Sequence, residues 1–328
     1  MAAVDTGPVT DFERAAAALR GELLAHSYRM LGSWHEAEDA VQETYLRGWR
    51  AWTGFEERSS VRTWLHRIAT NVCLNAARDR GRRALPSGIG APADDVDGPP
   101  DPLPPQAWIE PFPGDRADLR LALIAAMQTL PPTQRAVLLL REVLAYSAAD
   151  VAEIMDMSVG AVKSSLQRAR ARLADVDVQP DDIVEPHSPQ ARRLLDAYIT
   201  AFQTANVDAL TAALRADATL ELLPDRAWFA GVARCSPVFA TAVGRPGDWR
   251  MDRMVVNGQP AVAAYLHGQP FGIAALDVRH DGIAGVTVFA DPALVRRITV
   301  GLPPRRAGQD AAGPVQPDGT WPIRMRCG

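Results

Sequence analysis

The chain has 328 residues, of which 47% are hydrophobic and 23% are charged, enough for two or three domains with buried cores. Its net charge of −4 does not suggest a nucleic-acid partner, no apolar run reaches the ~20 residues that span a bilayer, and no signal peptide opens the chain. Three cysteines without CxxC spacing argue against a disulfide framework or a metal site. We therefore expect a cytoplasmic protein with no metal, no cofactor and no membrane partner.

Charge and composition vary along the chain and divide it into segments. Residues 84–118 carry one arginine and seven acidic residues among many prolines, whereas residues 119–174 carry seven basic and four acidic residues. The predicted segments are a helical domain (1–83), a Pro-rich acidic linker (84–118), a second helical domain (119–178), an α+β domain (188–302) and a flexible tail (303–328).

The first helical domain contains an amphipathic helix over Glu36–Trp52. Its apolar residues, Trp49 among them, recur at spacings of three and four and predict a buried stripe. A second face carries a polar ridge with one apolar member, formed by Asp39, Gln42, Glu43 and Leu46. This ridge is either a solvated helix face or a binding surface.

The following segment, Arg58–Arg83, has an apolar side and a side on which arginines alternate with Thr and Asn. Basic residues beside amide and aromatic groups suit a splayed single strand, because Arg binds phosphate while amides and rings contact unstacked bases. The alternative is a basic helix end that is stabilised by the helix dipole.

The second helical domain has the spacing of a helix-turn-helix motif. Ser147–Asp150 resembles a capping box that begins a short helix, and Ser158 can cap a longer helix after a three-residue turn. Val159 and Val162 are expected on its inner face, with Lys163 and other polar residues outside, as in a helix that enters the major groove. An ordinary three-helix bundle is the alternative.

The third domain changes character. Helices over Ser188–Thr204 and Asn206–Leu214 precede short runs of β character, separated in part by Xaa-Gly pairs typical of hairpin turns. The predicted strands are Thr219–Leu223, Arg250–Val256, Ala261–Leu266, Phe271–Arg279 and Ile283–Phe289.

Three segments, Ala37–Arg50, Ser59–Arg83 and Leu130–Leu173, closely resemble regions 2 and 4 of extracytoplasmic-function sigma factors of the sigma-70 family. The resemblance implies that the chain binds core RNA polymerase and promoter DNA, and leaves open whether a separate anti-sigma factor controls it. It implies contacts to the β′ clamp helices from Asp39, Gln42, Glu43 and Leu46. The implied −10 contacts are Phe55, Arg58, Ser59, Ser60, Thr63, Asn71, Asn75 and Arg78. The implied −35 contacts are Ser158, Lys163, Ser164, Gln167 and Arg168.

Residues 190–302 are similar to SnoaL-like domains, cone-shaped α+β folds shared with polyketide cyclases and ketosteroid isomerases, and Trp108–Pro113 resembles a linker motif of sigma factors that carry such a domain. The expected fold is therefore multi-domain: two all-α sigma domains, the second a helix-turn-helix, followed by an α+β SnoaL-like cone that modulates activity in cis.

Two alternatives remain open. A helix-turn-helix regulator with a ligand-binding domain explains residues 130–302 but gives the first 83 no role. A SnoaL-like enzyme fused to a DNA-binding module would need an acid or base in an apolar pocket. We expect no catalytic residues, because fold analogy confers no activity. The candidates for such an enzyme are Asp225, Asp252, His267, Asp277 and His280, with walls from Tyr198, Phe202, Trp228 and Phe239.

Overall fold

The computed structural model divides the chain into two compact units, and each is described by itself. The first comprises residues 1–83 and 121–178, and the second comprises residues 84–120 and 179–328. None of the described helices is long and apolar enough to cross a membrane. The described residues are 8–56, 59–78, 81–94, 101–174 and 184–300.

The first unit is entirely helical in its described parts. It also contains a 3-10 turn over Trp52–Gly54 and a π-helical segment over Leu139–Val143. The helices are α1 (Pro8–Leu31), α2 (Trp34–Ala51), α3 (Val61–Arg78), α4 (Leu121–Gln128), α5 (Pro132–Leu138), α6 (Ala148–Met155) and α7 (Val159–Leu173).

Helices α1, α2 and α3 pack on one another through apolar faces. The hydroxyl of Ser33 caps α2 by accepting a hydrogen bond from the backbone of Glu36 at 3.2 Å. Gly48 lets α2 approach α1 closely, since a Cβ at position 48 would lie 3.0 Å from the ring of Phe12 in α1. The predicted buried stripe was wrong at Trp49, whose side chain is 53% exposed.

The helix-turn-helix prediction is confirmed. Ser147 and Asp150 form a reciprocal capping box at the start of α6, and Asp156 ends that helix in the left-handed conformation. Ser158 then caps α7 by accepting from the backbone of Ala161. Two residues differ from the prediction. Val159, in the first turn of α7, is 41% exposed, and Ser165, a polar residue expected on the outer face, is buried.

The second unit is an α+β domain, as predicted. Its elements are α8 (Pro189–Gln203), α9 (Val207–Ala213), β1 (Leu214–Leu223), β2 (Trp228–Ala230), α10 (Val232–Ala242), β3 (Trp249–Val256), β4 (Gln259–Leu266), β5 (Gln269–Arg279), β6 (Gly282–Phe289) and α11 (Pro292–Val300). The sheet has the strand order β2-β1-β6-β5-β4-β3. Helices α8 and α10 cover one face, and α11 packs against β5.

Strands β3 to β6 form the predicted antiparallel meander, and its turns fall on the Xaa-Gly pairs. Asn257 and His267 adopt positive φ values of 54° and 49° at the first two of these turns. Strand β1 pairs in parallel with β6, a long-range contact that no local pattern indicated. The sequence also gave no signal for β2, α10 or α11.

The segment predicted as a linker is part of the second unit. Its apolar residues Leu103, Trp108, Ile109 and Phe112 are buried, and Trp108 lies 6.0 Å from the Phe289 ring of β6. The Pro-rich composition predicted a free connector. Composition does not show whether the few large apolar residues between the prolines are buried, and here they are. These residues pack against the second unit and remove their surface from water.

Hydrogen bonds also hold this segment in place. Ala84 forms a parallel bridge with Trp108, so that the segment returns close to its own start. The side-chain oxygen of Asn257 accepts from the backbone of Phe112 at 2.8 Å, and its amide donates to the carbonyl of Leu119. The two oxygens of Glu221 accept from the backbone and the hydroxyl of Ser87, each at 3.2 Å. Burial raises the pKa of this carboxyl group.

We expect Asn257→Ala to destabilise the second unit more than His267→Ala. Both substitutions place Ala at positive φ, but only Asn257 is buried and bonded to the segment at residues 112 and 119. Two lost buried hydrogen bonds should cost ~2–4 kcal/mol beyond the shared backbone penalty. Urea unfolding followed by circular dichroism measures the difference, and equal losses would show that the amide does not anchor the segment.

Candidate polymerase and promoter interfaces

The polar ridge of α2 is accessible to a partner. Asp39 and Gln42 are exposed, Glu43 is half-buried and Leu46 is 50% exposed. Asp39 lies 3.7 Å from His35, and Glu43 lies 2.6 Å from Arg47, both within the helix. Exposed pairs of this type contribute little to stability. The carboxylates can therefore exchange these partners for others at small cost.

One exposed aromatic residue next to this ridge was missed by the sequence analysis. Trp49 lies three residues beyond Leu46, one turn further along α2, and the two side chains are about half exposed. Exposed Trp and Leu beside acidic groups are typical of an interface with an apolar centre and a polar rim. Periodicity placed Trp49 on the buried stripe, whereas the structure leaves its side chain exposed.

An aromatic cluster precedes α3. Phe55 stacks on Trp52 with ring centroids 5.4 Å apart and lies 4.9 Å from the Trp64 ring. Ser60 and Thr63 form a local cap in which the two hydroxyls lie 2.9 Å apart. Ser59 is half-buried next to this cap. Of the predicted −10 residues, Arg58 lies outside the described part of the chain.

The remaining predicted −10 residues follow the outer face of α3. Asn71, Asn75 and Arg78 are exposed at spacings of four and three, which place them on one side of the helix. Arg78 donates to the side-chain oxygen of Asn75 at 3.2 Å. This face therefore presents amides and a guanidinium together, as contact with unstacked bases and phosphates requires.

The predicted −35 residues lie on the outer face of α7. Lys163, Ser164, Gln167 and Arg168 are exposed, and Ser158 is exposed at the N-terminal end of the helix. Val162, Leu166 and Ala169 turn inward with Ser165, which is buried although the sequence placed it outside. The free face is thus polar and basic and belongs to the second helix of the motif, the geometry that enters a major groove.

Buried polar contacts join the helices of 8–78 to those of 121–174 within the first unit. Gln128 donates to the carbonyl of Arg29 at 3.1 Å, and the Arg135 guanidinium donates to the carbonyls of Met30 and Leu130. Burial lowers the pKa of Arg135 to about 10. These donors satisfy carbonyls at the end of α1 that have no partner within the helix.

The candidate acids and bases of the second unit lie at its surface or in contact with neighbouring polar groups. His267 and His280 are exposed beyond opposite ends of β5, a strand whose length is roughly 36 Å when extended. Asp252 and Asp277 each pair with an arginine on their own strand, and Asp225 accepts a backbone hydrogen bond. Among the described residues, no group of three or more His, Cys, Asp and Glu side chains is arranged to hold a metal ion.

The proposed pocket walls are instead core residues. Tyr198, Phe202 and Phe239 are at most 3% exposed and pack with Trp249 through tilted and edge-to-face ring contacts. Trp228 is half-buried, and its indole donates to the carbonyl of Gly90. These aromatic residues stabilise the domain.

Comparison with known proteins agrees with this arrangement of surfaces. Family models described as Sigma-70 region 2 and Sigma-70, region 4 match residues 16–83 and 120–173. The ECF RNA polymerase sigma factor SigG of Mycobacterium tuberculosis is 42% identical over 318 residues, which cover 89% of this chain and 84% of SigG. The chain belongs to the ECF sigma factors. It therefore binds RNA polymerase and promoter DNA to initiate transcription.

Two further relatives extend over most of this sigma factor. The probable ECF RNA polymerase sigma factor SigI of M. tuberculosis is 27% identical and covers 83% of this chain and 91% of its own length. The crystal structure of the M. tuberculosis extracytoplasmic function sigma factor SigJ superposes with a TM-score of 0.55 over 88% of this chain and 98% of SigJ, at 22% identity. This likeness extends the shared fold through the α+β unit.

Proposed function

We propose that the sigma factor docks on the β′ clamp helices of core polymerase through Asp39, Gln42, Glu43 and Leu46, with Trp49 extending this surface by one turn. All five side chains lie on one helix; Glu43 is half-buried and the other four are exposed, which supports this assignment. Acidic residues around an apolar centre suit a basic partner surface, because charge complementarity guides association and buried aromatic residues contribute much of the affinity.

We further propose that the promoter is bound at two places. The outer face of α3 with the preceding loop binds the −10 element, and the outer face of α7 binds the −35 element. The observation that carries this assignment is that both faces are polar, basic and exposed among the described residues. The proposed −10 residues are Phe55, Arg58, Ser59, Ser60, Thr63, Asn71, Asn75 and Arg78, and the proposed −35 residues are Ser158, Lys163, Ser164, Gln167 and Arg168.

Reversing the charge of the α2 ridge should weaken polymerase binding. We expect Asp39→Lys with Glu43→Lys to raise the dissociation constant for core polymerase at least tenfold, about 1.4 kcal/mol. Glu13→Lys with Asp208→Lys makes the same change of charge at exposed helical positions outside the ridge and should have little effect. Fluorescence anisotropy with purified core measures both, and equal weakening in the two proteins would rule out a specific ridge contact.

Removing basic side chains from α7 should reduce promoter binding. In transcription with sigma-free core polymerase, mapped transcript starts first define the promoter. Lys163→Ala and Arg168→Ala should then each weaken binding by ~1–3 kcal/mol if they contact base edges, and a scrambled −35 element should remove that difference. Arg192→Ala, an exposed arginine of α8, is the control. A loss that is the same on every sequence would instead indicate a phosphate contact.

The second unit is proposed to regulate transcription in cis, in the cytoplasm, without catalysing a reaction. The segment 84–120 connects the two DNA-binding regions, and about 36 residues of free chain would reach ~120 Å. The bridge between Ala84 and Trp108 returns the segment to its own start and leaves at most about 12 residues, or ~40 Å, between the two regions. Asn257 also bonds residues 112 and 119 within this stretch, so that holding the segment on the second unit shortens the tether at least threefold.

This shortening matters because the promoter elements are widely separated. Positions −10 and −35 lie ~25 base pairs apart, which is ~85 Å of duplex. A free tether allows this separation easily, whereas a tether of ~40 Å restricts where the second DNA-binding region can lie. The second unit can therefore set the efficiency with which the two regions engage one promoter together.

Releasing the segment should increase transcription. We expect Trp108→Ala, which removes a buried anchor, to raise transcript yield from the mapped promoter because the longer tether lets both regions engage the DNA. Gln106→Ala, an exposed change in the same segment, should leave the yield unaltered. Identical yields across a range of sigma concentrations would contradict control through the tether, and a fall would indicate that the docked segment makes a positive contact.

A further inference from the structure

A cavity of about 290 Å³ lies in the first unit, where residues of region 2 meet residues of region 4. Region 2 contributes residues 81–83 and the end of α1, and region 4 contributes residues 128–132 and Arg135. Arg135 is buried, whereas Gly81 and Arg82 are exposed and leave the cavity open to solvent. Its volume is close to the lower end of the ~300–1,000 Å³ that small-molecule sites occupy.

The cavity carries positive charge that no described acidic residue neutralises in full. Three arginines line it, and none of its lining residues is Asp or Glu. Arg83 is buried and pairs with Glu36 at 2.8 Å. Arg82 and Arg135 form no ion pair with a described residue. Two guanidinium groups therefore remain without an acidic partner in the part of the chain that the structure describes.

Arg135 has one hydrogen-bond donor to spare. A guanidinium has five N–H groups. Nη1 donates to the carbonyl of Met30 and to the side-chain oxygen of Gln128, and Nη2 donates to the carbonyls of Gln128 and Leu130 at 3.3 and 3.0 Å. Nε is buried and bonds no described residue. Four of the five N–H groups are thus used, all by uncharged acceptors.

The charge of Arg135 is also poorly compensated. Burial, together with the nearby charge of Arg82, lowers the pKa of Arg135 to about 10, so that the group stays protonated at neutral pH. A buried cation without a counter-charge is costly, and an anion in the cavity would reduce that cost. The cavity therefore favours a negatively charged ligand.

The rest of the lining indicates what kind of anion fits. Apolar side chains form much of the wall, namely Met30, Leu31, Ala77, Leu130, Pro131 and Pro132. Guanidinium groups bind phosphate oxygens strongly, because their planar donors match the geometry of the phosphate. Apolar walls beside a few polar groups are typical of sites for organic molecules. A molecule with both a phosphate group and an apolar part matches this lining better than a free ion does.

We propose that this cavity binds a small organic phosphate, whose phosphate group lies against Arg82 and Arg135 and whose organic part lies against the apolar walls. The ligand contacts both DNA-binding regions at once. Because it binds only while these regions are in contact, it stabilises that arrangement of the first unit.

This stabilisation opposes promoter binding. A compact unit of about 140 residues has a radius of gyration of only ~14 Å. It cannot place both proposed DNA-binding faces on elements roughly 85 Å apart unless region 2 and region 4 separate, which opens the cavity. The ligand therefore lowers the population that can bind the promoter. This consequence rests on the proposed promoter contacts, whereas binding of the ligand to the free protein does not.

Calorimetric titration of the full-length protein tests the site with three probes, in buffer free of phosphate and sulfate. We expect ADP to bind, inorganic pyrophosphate to bind about fivefold more weakly, and adenosine not to bind measurably. Absence of binding by both ADP and pyrophosphate overturns the site. Pyrophosphate that binds as tightly as ADP overturns the role of the apolar walls, and adenosine that binds as tightly as ADP overturns the role of the arginines.

Substitutions at the exposed edge of the cavity locate the binding. A Cβ at Gly81 would meet no described atom within 4 Å, so this position accepts a side chain. Gly81→Glu places a carboxylate beside the arginines and should abolish ADP binding, whereas Gly81→Ala should bind within about twofold of the parent. Arg82→Gln should weaken binding about tenfold, and Arg192→Gln, an exposed arginine of α8, should not. Equal affinities in the parent, Gly81→Glu and Arg82→Gln would place the bound ADP elsewhere and overturn the proposal.

Promoter binding tests the consequence. Free sigma factor, core polymerase and a labelled fragment of the mapped promoter are mixed, and fluorescence anisotropy measures the bound fraction. Saturating ADP should weaken promoter binding about threefold for the parent and for Gly81→Ala, and should leave Gly81→Glu unaffected. An equal effect on all three proteins, which would arise from polymerase, or no effect on any, overturns the coupling. The calorimetric result does not involve DNA, so failure of this site and failure of the promoter contacts proposed for α7 can be distinguished.

Discussion

The last carbonyl groups of α1 need hydrogen-bond donors, and the first unit is organised around meeting that need. Gly32 supplies one donor from the backbone, while Gln128 and Arg135 supply others from the second helical region. Buried carbonyls without partners would each cost about 1–3 kcal/mol. The two DNA-binding regions are therefore joined by polar contacts as well as by a buried apolar cluster that includes Met30, Val72, Met127 and Leu139.

In the second unit, a small number of contacts holds the segment 84–120 against the domain. A short segment with four large apolar residues folds against the domain, and the two ends of that segment are the attachment points of the DNA-binding regions. The bridge from Ala84 to Trp108, together with the bonds from Asn257 to residues 112 and 119, then determines how much chain remains available between those points. In the proposed control in cis, the α+β unit acts on initiation by holding this segment.

Local sequence signals predicted much of the fold and part of the surface. The capping box at Ser147 and the Xaa-Gly turns are formed by neighbours in sequence, and they were found where expected. Periodicity identifies which residues share a helix face but cannot tell whether another element covers it, so Trp49 was misplaced. Helix α10 has Gly231 at its N-cap, which offers no capping side chain, and it contains Pro237, so the local sequence does not indicate a helix. The pairing of β1 with β6 depends on residues about 66 positions apart and leaves no local trace.

This parallel pairing affects the order in which the protein is completed during synthesis. Strand β1 gains its long central partner only after β6 has been made, and the segment 84–120 packs against residues of that sheet, including Phe289. About 170 residues separate the end of this segment from the end of β6, or roughly 8–34 s of translation at typical rates. Both DNA-binding regions consequently leave the ribosome on a long, unshortened tether. In the proposed control in cis, a nascent or prematurely terminated chain lacks this restraint, which forms only after β6 has been made.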